Sequence, residues 1–268
     1  MKDDVFHDAI NVLAGTEAPR VWSLIVTVFG DLAQRPEEMI SGPVLGDILS
    51  PINVRPEAMR VALHRLRNDG WLEAKKRGRE ALHHLSVTGY EQSARASKRI
   101  YANAQDAEPD WHILCFPSVF SSDENTRSGS LQKDGYVAIA PGVYLANGTN
   151  TAPPSDALVL QGHLGPVPEW LSQTLVPSTL VCAFKDLSAA LQLLDLGTDA
   201  DDPFTPLQTA TLRTLVVHRW RKLALKMPDV PDALFGSDFA GFDCRAQVMR
   251  TLSILPKPAL STLARSAL

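Results

Sequence analysis

The segment from residue 54 to residue 87 constrains the fold most, because it joins a clearly bounded helix to a basic hairpin. Pro56 suits the first turn of a helix and Gly70 suits the position just past its end. Between them, apolar residues recur at helical spacing: Met59, Ala62, Leu63 and Leu66. Two short apolar runs follow, separated by four positive charges around Gly78. This order predicts a helix and then a β-hairpin with a basic tip.

Two further helices are predicted before this segment. Residues 21–32 place Trp22, Ile25, Phe29 and Leu32 on one helical face, although their β-branched content also permits a strand. Ser41 suits the N-cap of a second helix, which Pro51 ends. Residues 1–18 are predicted to form a polar arm. After the hairpin, a capping box of Thr88 and Glu91 predicts a helix that reaches about residue 104.

Three helices followed by a basic hairpin is the order of a winged helix-turn-helix domain. In that domain the third helix enters the major groove of DNA and the hairpin contacts the neighbouring backbone. Arginine can bond guanine or phosphate with two N–H groups at once, so the exposed cations of this segment are candidates for such contacts. The alternative is an ordinary solvated surface. The predicted DNA-binding residues are Arg55, Glu57, Arg60, His64 and Arg67 on the helix, with Lys75, Lys76, Arg77 and Arg79 on the hairpin.

The distribution of charge agrees with this placement. The whole chain carries 26 Lys and Arg against 30 Asp and Glu, a net charge of −4. Residues 55–99 contain 11 basic and 5 acidic residues, which is +6, so the rest of the chain carries −10. Attraction to phosphate acts over roughly 8 Å at physiological salt, so the local charge matters more than the total. The composition therefore excludes only a uniformly basic protein.

The rest of the chain predicts an α+β middle part and a helical C-terminal part. Short strands are predicted at residues 111–116, 136–140, 143–146 and 158–162, with a loop over 121–135 that holds a short helix around Leu131. A helix over 167–175 is predicted to turn Trp170 inward. This pattern favours a ferredoxin-like domain. The predicted fold class is α+β, with a winged helix-turn-helix domain at 1–105, a ferredoxin-like domain at 106–183 and a helical effector and dimerisation domain at 184–268.

Several classes of protein lack support in the sequence. No apolar run approaches the roughly 18 residues of a membrane span, and the acidic N-terminus is unlike a signal peptide, so a cytoplasmic location without membrane association is predicted. Cys115, Cys182 and Cys244 are far apart and are predicted to be buried free thiols. No metal site and no cofactor are predicted. None of the common catalytic motifs occurs, and the chain is predicted not to be an enzyme.

The sequence resembles the PaaX-like transcriptional regulators, the family of the phenylacetate-degradation repressor. The matching stretches are SLIVTVFGD at 23–31, MRVALHRLRNDGWL at 59–72, RGR at 77–79, LSVTG at 85–89, RIY at 99–101, Trp111, VHRWR at 217–221 and PDVPDAL at 228–234. The resemblance implies a repressor of an aromatic, phenylacetate-type catabolic operon. It further implies that an aryl-acyl-CoA such as phenylacetyl-CoA is the effector that releases double-stranded operator DNA.

Four residues close together in the C-terminal part are candidates for binding that small-molecule effector: His218, Arg219, Arg221 and Lys222. A basic cluster suits the phosphates of CoA, and a solvated helix face is the alternative. A homodimer is expected, because winged-helix regulators commonly bind two half-sites. Two other functions stay open: an RNA-binding or protein-interaction module that uses the same basic hairpin, and an acyl-CoA-metabolising enzyme with a vestigial DNA-binding domain.

Overall fold

The computed structural model describes residues 2–15, 19–78, 80–102, 111–117, 123–147, 153–161, 165–194 and 204–263. The fold is α+β, as predicted. Contacts between residues divide the chain into two compact units. Unit 1 consists of residues 1–102, 186–224 and 243–268, and unit 2 consists of residues 103–185 and 225–242. The predicted boundaries at 105 and 183 stay a prediction.

The first 102 residues supply helices and a small sheet to unit 1. In chain order they are α1 (Lys2–Ala14), α2 (Val21–Leu32), β1 (Ile40–Ser41), α3 (Gly42–Leu49), α4 (Pro56–Asn68), β2 (Leu72–Arg77), β3 (Glu80–Leu85) and α5 (Val87–Ile100). The helices predicted at 21–32, after Ser41 and after Pro56 are confirmed. Ser41 caps α3 by accepting a hydrogen bond from the Val44 N–H at 3.4 Å.

Helix α1 corrects the expectation of a polar arm at residues 1–18. Four apolar side chains at helical spacing are buried along it: Phe6, Ala9, Ile10 and Leu13. Polar residues lie between them, so the segment is an amphipathic helix rather than a solvated arm. Residues 16–18 lie outside the described residues.

The sheet of unit 1 has three strands in the order β1-β3-β2. The predicted hairpin is confirmed, with Leu72 opposite Leu85 at its base and Arg77 opposite Glu80 at its tip. Gly78 turns the chain with a φ of +62°, a conformation that glycine adopts without steric cost. The two-residue strand β1 pairs with β3 through Ile40 and His83, a pairing that the sequence did not predict because it depends on a contact over 40 residues away.

The start of α5 differs from the predicted capping box at Thr88 and Glu91. Ser86 is the N-cap, since its hydroxyl oxygen accepts a hydrogen bond from the Gly89 N–H at 3.0 Å. The same hydroxyl donates to the carbonyl oxygen of Gly70 at 2.6 Å. Ser86 therefore joins the start of α5 to the end of α4, and α5 ends at Ile100 instead of near residue 104.

Unit 2 contains a four-stranded antiparallel sheet. Its elements are β4 (Trp111–Cys115), α6 (Asp123–Lys133), β5 (Val137–Ala140), β6 (Val143–Asn147), β7 (Leu158–Gln161) and α7 (Glu169–Leu175). The strand order is β5-β6-β4-β7, and every neighbouring pair is antiparallel. The order β4-α6-β5-β6 matches the first part of the ferredoxin-like pattern. The second helix of that pattern would lie between β6 and β7. In this connection the structure describes residues 153–157, which contain a turn and no helix, so the ferredoxin-like assignment stays a prediction.

Two expectations about unit 2 are revised. The short helix expected around Leu131 is confirmed as α6, but it begins at Asp123 and replaces most of the loop expected over 121–135; its polar sequence carries no apolar stripe that would have indicated this length. Trp170, expected to face inward from α7, is 54% exposed. Helix α7 has only seven residues, about two turns, and so short an apolar pattern did not determine which face packs.

The remaining helices are α8 (Ser178–Gln192), α9 (Pro206–Ala224), α10 (Ala240–Ile254) and α11 (Leu260–Leu263). Helix α9 is buried on nearly all sides and contacts α1, α2, α3, α5 and α11 in unit 1. Trp220 of α9 is 1% exposed, and its indole N–H donates to the Ile100 carbonyl oxygen at 2.7 Å. A helix from the C-terminal part of the sequence thus forms the centre of the unit that contains the N-terminal helices.

The three cysteines have different surroundings. Cys244 is buried, and burial raises the pKa of its thiol to about 11. Cys115 is half-buried and Cys182 is exposed, so the expectation of three buried thiols is wrong for both.

Among the described helices, none is by itself long and apolar enough to cross a membrane, while the pair α7 and α8, bent by 75°, meets that criterion jointly by length and composition.

Candidate nucleic-acid interface

Helix α4 presents a polar face on the side opposite to its buried stripe. Ala62, Leu63 and Leu66 pack inward. With 3.6 residues per turn, five exposed side chains project within an arc of about 100° on the other side: Glu57, Arg60, Val61, His64 and Asn68. Arg55, at the N-cap, and Arg67, in the last turn, are exposed as well. The structure thus leaves all five predicted residues of this helix accessible to a partner.

Weak local contacts order the polar side chains of this face. The Arg60 guanidinium lies 3.9 Å from the Glu57 carboxylate, and both side chains are more than 70% exposed. His64 Nδ1 lies 3.3 Å from the Asn68 side-chain amide nitrogen, one turn further along α4. Exposed ion pairs contribute little to stability, typically below about 1 kcal/mol. These side chains can therefore exchange their present contacts for contacts with DNA at little cost.

The hairpin places its basic residues on the strand next to α4 in the sequence. Lys75, Lys76 and Arg77 lie on β2 and are exposed, while Leu72 at the base of the same strand is 2% exposed. Alternate residues of a strand point to opposite faces, so Lys76 points to the other side of the hairpin from Lys75 and Arg77. Arg79 lies outside the described residues.

His83 is a buried residue of β3, the central strand of this sheet. It is 6% exposed, and its pKa is lowered by burial and, to a lesser extent, by the nearby positive charge of Arg67. His83 lies between Ala74 of β2 and Ile40 of β1, where its lowered pKa disfavours the charged form.

Val61 was not among the residues that the sequence singled out. It is 70% exposed in the middle of the polar face of α4. A signal was available, since Val61 lies about 150° around the helix from the apolar stripe. The residues predicted to bind DNA are all polar or charged side chains, so the prediction passed over Val61.

The four candidate effector residues have different environments on α9. His218 is 4% exposed, and its Nδ1 lies 3.1 Å from the Thr27 hydroxyl oxygen. Arg221 donates to the same hydroxyl oxygen at 3.3 Å, and Arg219 donates to the Val12 carbonyl oxygen at 3.5 Å. Lys222 is exposed. Three of the four residues therefore have packing or hydrogen-bonding partners within unit 1, and one faces solvent.

Burial alters the titration of this group. The pKa of His218 is lowered to about 4, chiefly by burial and then by the charges of Arg221 and Lys222. Burial also lowers the pKa of Arg219 and of Arg221. Within the residues that the structure describes, no three His, Cys, Asp or Glu side chains come together as metal ligands.

Comparison with protein families agrees with the resemblance. The sequence model described as PaaX-like protein matches residues 20–89, which contain α2, α4 and the basic hairpin. A second model, described as PaaX-like protein C-terminal domain, matches residues 178–265. The chain belongs to the PaaX-like family.

One curated relative and one solved structure extend the comparison. The chain is 26% identical over 251 residues to the transcriptional repressor PaaX of Escherichia coli K12, covering 83% of this chain and 76% of that protein. An uncharacterized protein from Mycobacterium tuberculosis has a similar fold, with a TM-score of 0.56 and 18% identity, covering 90% of this PaaX-like chain and 98% of the other.

Proposed function

We propose that this PaaX-like protein is a transcriptional repressor that binds double-stranded DNA through a winged helix-turn-helix domain. The observation that carries the proposal is the exposed polar face of α4, next in the chain to an exposed basic hairpin. The repressor that is 26% identical supports the same function. The protein acts as a regulator rather than an enzyme, in the cytoplasm.

The two parts of the interface have different roles. Helix α4 enters the major groove, where Arg60 is placed to donate two hydrogen bonds to guanine. Arg55 and Arg67, at the two ends of α4, bind phosphates. Lys75, Lys76, Arg77 and Arg79 of the hairpin bind the backbone beside the groove, where the contact does not depend on sequence. Two copies of the protein bind two half-sites, about one helical turn of DNA or a multiple of it apart.

The repressed operon belongs to the catabolism of an aromatic acid of the phenylacetate type, and an aryl-acyl-CoA releases the DNA. Family membership supports this part of the proposal. On α9, Lys222 and the accessible parts of Arg219 and Arg221 bind the phosphates of CoA. His218 is buried and has a positioning role, through its contact with Thr27.

Two substitutions test the DNA-binding proposal. The operator is the duplex that the protein selects from a pool of random sequences. Arg60→Ala is expected to weaken binding to this operator by about 1–3 kcal/mol and to relax the preference for guanine at one position. Lys76→Ala is expected to weaken binding to all duplexes alike and to reduce the slope of log affinity against log salt by about 1. Fluorescence anisotropy over a series of salt concentrations measures both effects.

A duplex RNA of the same sequence is the control ligand. If both variants bind the operator like the unaltered protein, the interface is assigned to the wrong surface. If RNA is preferred to DNA, the proposed function itself is wrong.

A further inference from the structure

Val61 occupies a position in α4 that neither packing nor helix propensity explains. Its side chain is 70% exposed, on the face of the helix opposite to Leu63 and Leu66. Valine is also a weaker helix former than alanine, lysine or glutamate, because its branched side chain loses rotamer freedom in a helix. Folding of α4 alone therefore gives no reason for valine at residue 61.

The neighbours of Val61 suggest what kind of surface it contacts. Glu57, Arg60 and His64 share its arc of the helix, and each offers hydrogen-bond donors or acceptors. Val61 is the apolar member of this arc. A partner that complements the face must combine polar groups and one small apolar group within the width of a helix.

The major groove of DNA offers that combination. Base edges there present donors and acceptors, and thymine adds its C5-methyl group, which the minor groove and the backbone do not present. The positive charge of residues 55–99 complements the phosphates on both sides of the groove. A protein partner would need acidic and apolar groups in the same register, whereas duplex DNA presents them at every A·T pair.

We propose that Val61 contacts the C5-methyl group of a thymine and so selects an A·T pair in each half-site. This inference rests on the proposed function, and it assigns the specificity at one base pair to an apolar contact rather than to a hydrogen bond. Arg60, on the adjacent position of the same face, contacts a neighbouring base pair.

The test removes the methyl group from each side of the contact separately. The operator is first selected from random duplexes, and each thymine is then replaced by deoxyuridine, which lacks only the methyl group. The replacements are made one at a time. For the unaltered protein, a single replacement is expected to weaken binding about fourfold at one thymine position of each half-site and to have little effect elsewhere, since about 0.8 kcal/mol is the contribution of one methyl-sized apolar group. Val61→Ala is expected to bind the thymine and deoxyuridine duplexes with equal affinity.

Val87→Ala is the matched control, because Val87 is 74% exposed and lies on α5 outside the proposed interface. It is expected to keep the fourfold response to deoxyuridine. Thermal unfolding of both variants checks that folding is intact, and alanine at an exposed helix position is expected to preserve it.

Three outcomes separate this inference from the function on which it rests. An operator in which no thymine is sensitive to methyl removal overturns the inference alone. An equal fourfold response in Val61→Ala also overturns it, and a changed oligomeric state in that variant would then assign Val61 to a protein contact. If no duplex sequence is preferred over random DNA, the proposed function fails and the inference fails with it.

Discussion

At the scale of single residues, His218 shows how burial turns a polar side chain into a pH-dependent part of the core. It is 4% exposed and hydrogen-bonded to Thr27, and its pKa in the folded protein is lowered to about 4 from 6.5. Between pH 6.5 and pH 4 the unfolded chain therefore binds a proton that the folded protein does not. Such a group destabilises the folded state progressively as the pH falls through this window.

We expect the free energy of unfolding to fall between pH 6.5 and pH 4, with His218 accounting for about 2–3 kcal/mol of the loss. His218→Gln removes the titrating group and should flatten that part of the curve. His7→Gln is the matched control, since His7 is exposed on α1. Urea denaturation at several pH values measures the difference, and parallel curves for all three proteins would contradict the role of His218.

Val61 and Ser86 differ in whether local sequence spacing is enough to explain their positions. Val61 lies off the apolar stripe of α4, so its exposed position follows from the stripe's spacing, although Val61 was not singled out from the sequence. Ser86 caps α5 in place of Thr88, because its hydroxyl also bonds to Gly70. Gly89, three residues after Ser86, lies so close to Trp71 that a Cβ atom there would clash with the Trp71 carbonyl oxygen. Only the packing of α5 against the end of α4 selects this start.

At the scale of secondary-structure elements, a buried ion pair joins α2 to α9. Arg213 donates to both carboxylate oxygens of Asp31, at 2.6 and 2.9 Å, and the Tyr101 hydroxyl donates to the same carboxylate. Arg213 also donates to the carbonyl oxygens of Leu252 and Leu255 at the end of α10. Burial and the Asp31 charge both raise the pKa of Tyr101, so its hydroxyl stays protonated. The network therefore connects a helix of the predicted DNA-binding domain to two C-terminal helices.

We expect Arg213→Met to lower the free energy of unfolding by about 3–5 kcal/mol, because it leaves the buried Asp31 charge without its partner. Adding Asp31→Asn should recover part of that loss, since the uncompensated charge is then removed. Arg60→Met is the control at an exposed pair, with an expected change below about 1 kcal/mol. Urea denaturation followed by tryptophan fluorescence gives all three values. A small effect of Arg213→Met would show that the pair contributes little.

At the scale of the whole molecule, the positive charge and the proposed effector site lie in different parts of the sequence. The net charge of −4 combines +6 on residues 55–99 with −10 elsewhere. A ligand that binds only the folded protein raises its stability by mass action, by about 2.7 kcal/mol at a hundredfold excess over Kd. This linkage makes the proposed effector measurable without knowledge of the operator.

We expect phenylacetyl-CoA to raise the Tm of the protein more than phenylacetate does, because the free acid lacks the CoA phosphates. Lys222→Ala should reduce this shift, since Lys222 is the exposed cation of the candidate group on α9. Lys185→Ala, at an exposed lysine of α8, is the control. Thermal-shift measurements over a range of ligand concentrations provide the comparison. An unchanged Tm with saturating phenylacetyl-CoA would contradict the assignment of this compound as the effector. It would not affect the DNA-binding proposal.

Local signals were sufficient for the candidate interface. Pro56 and Gly70 determine where α4 begins and ends, and the apolar runs around Gly78 determine the hairpin, because each signal acts on its own few residues. The exposed positions of α4 follow from a stripe that is visible within the same helix. The family resemblance, confirmed by the comparisons, also depended on these segments.

Long-range packing decided the rest. Residues 1–18 lack a continuous apolar run, and only a contact between α1 and α9 shows that Phe6 and Leu13 belong to a core. Strand β1 has only two residues, and it is a strand because it forms antiparallel backbone pairs with β3. Helix α9 carries Arg213 and His218 among its buried residues, since partners from distant segments satisfy them. Sequence periodicity records which side chains are apolar, whereas the tertiary structure determines which polar side chains have partners that make burial possible.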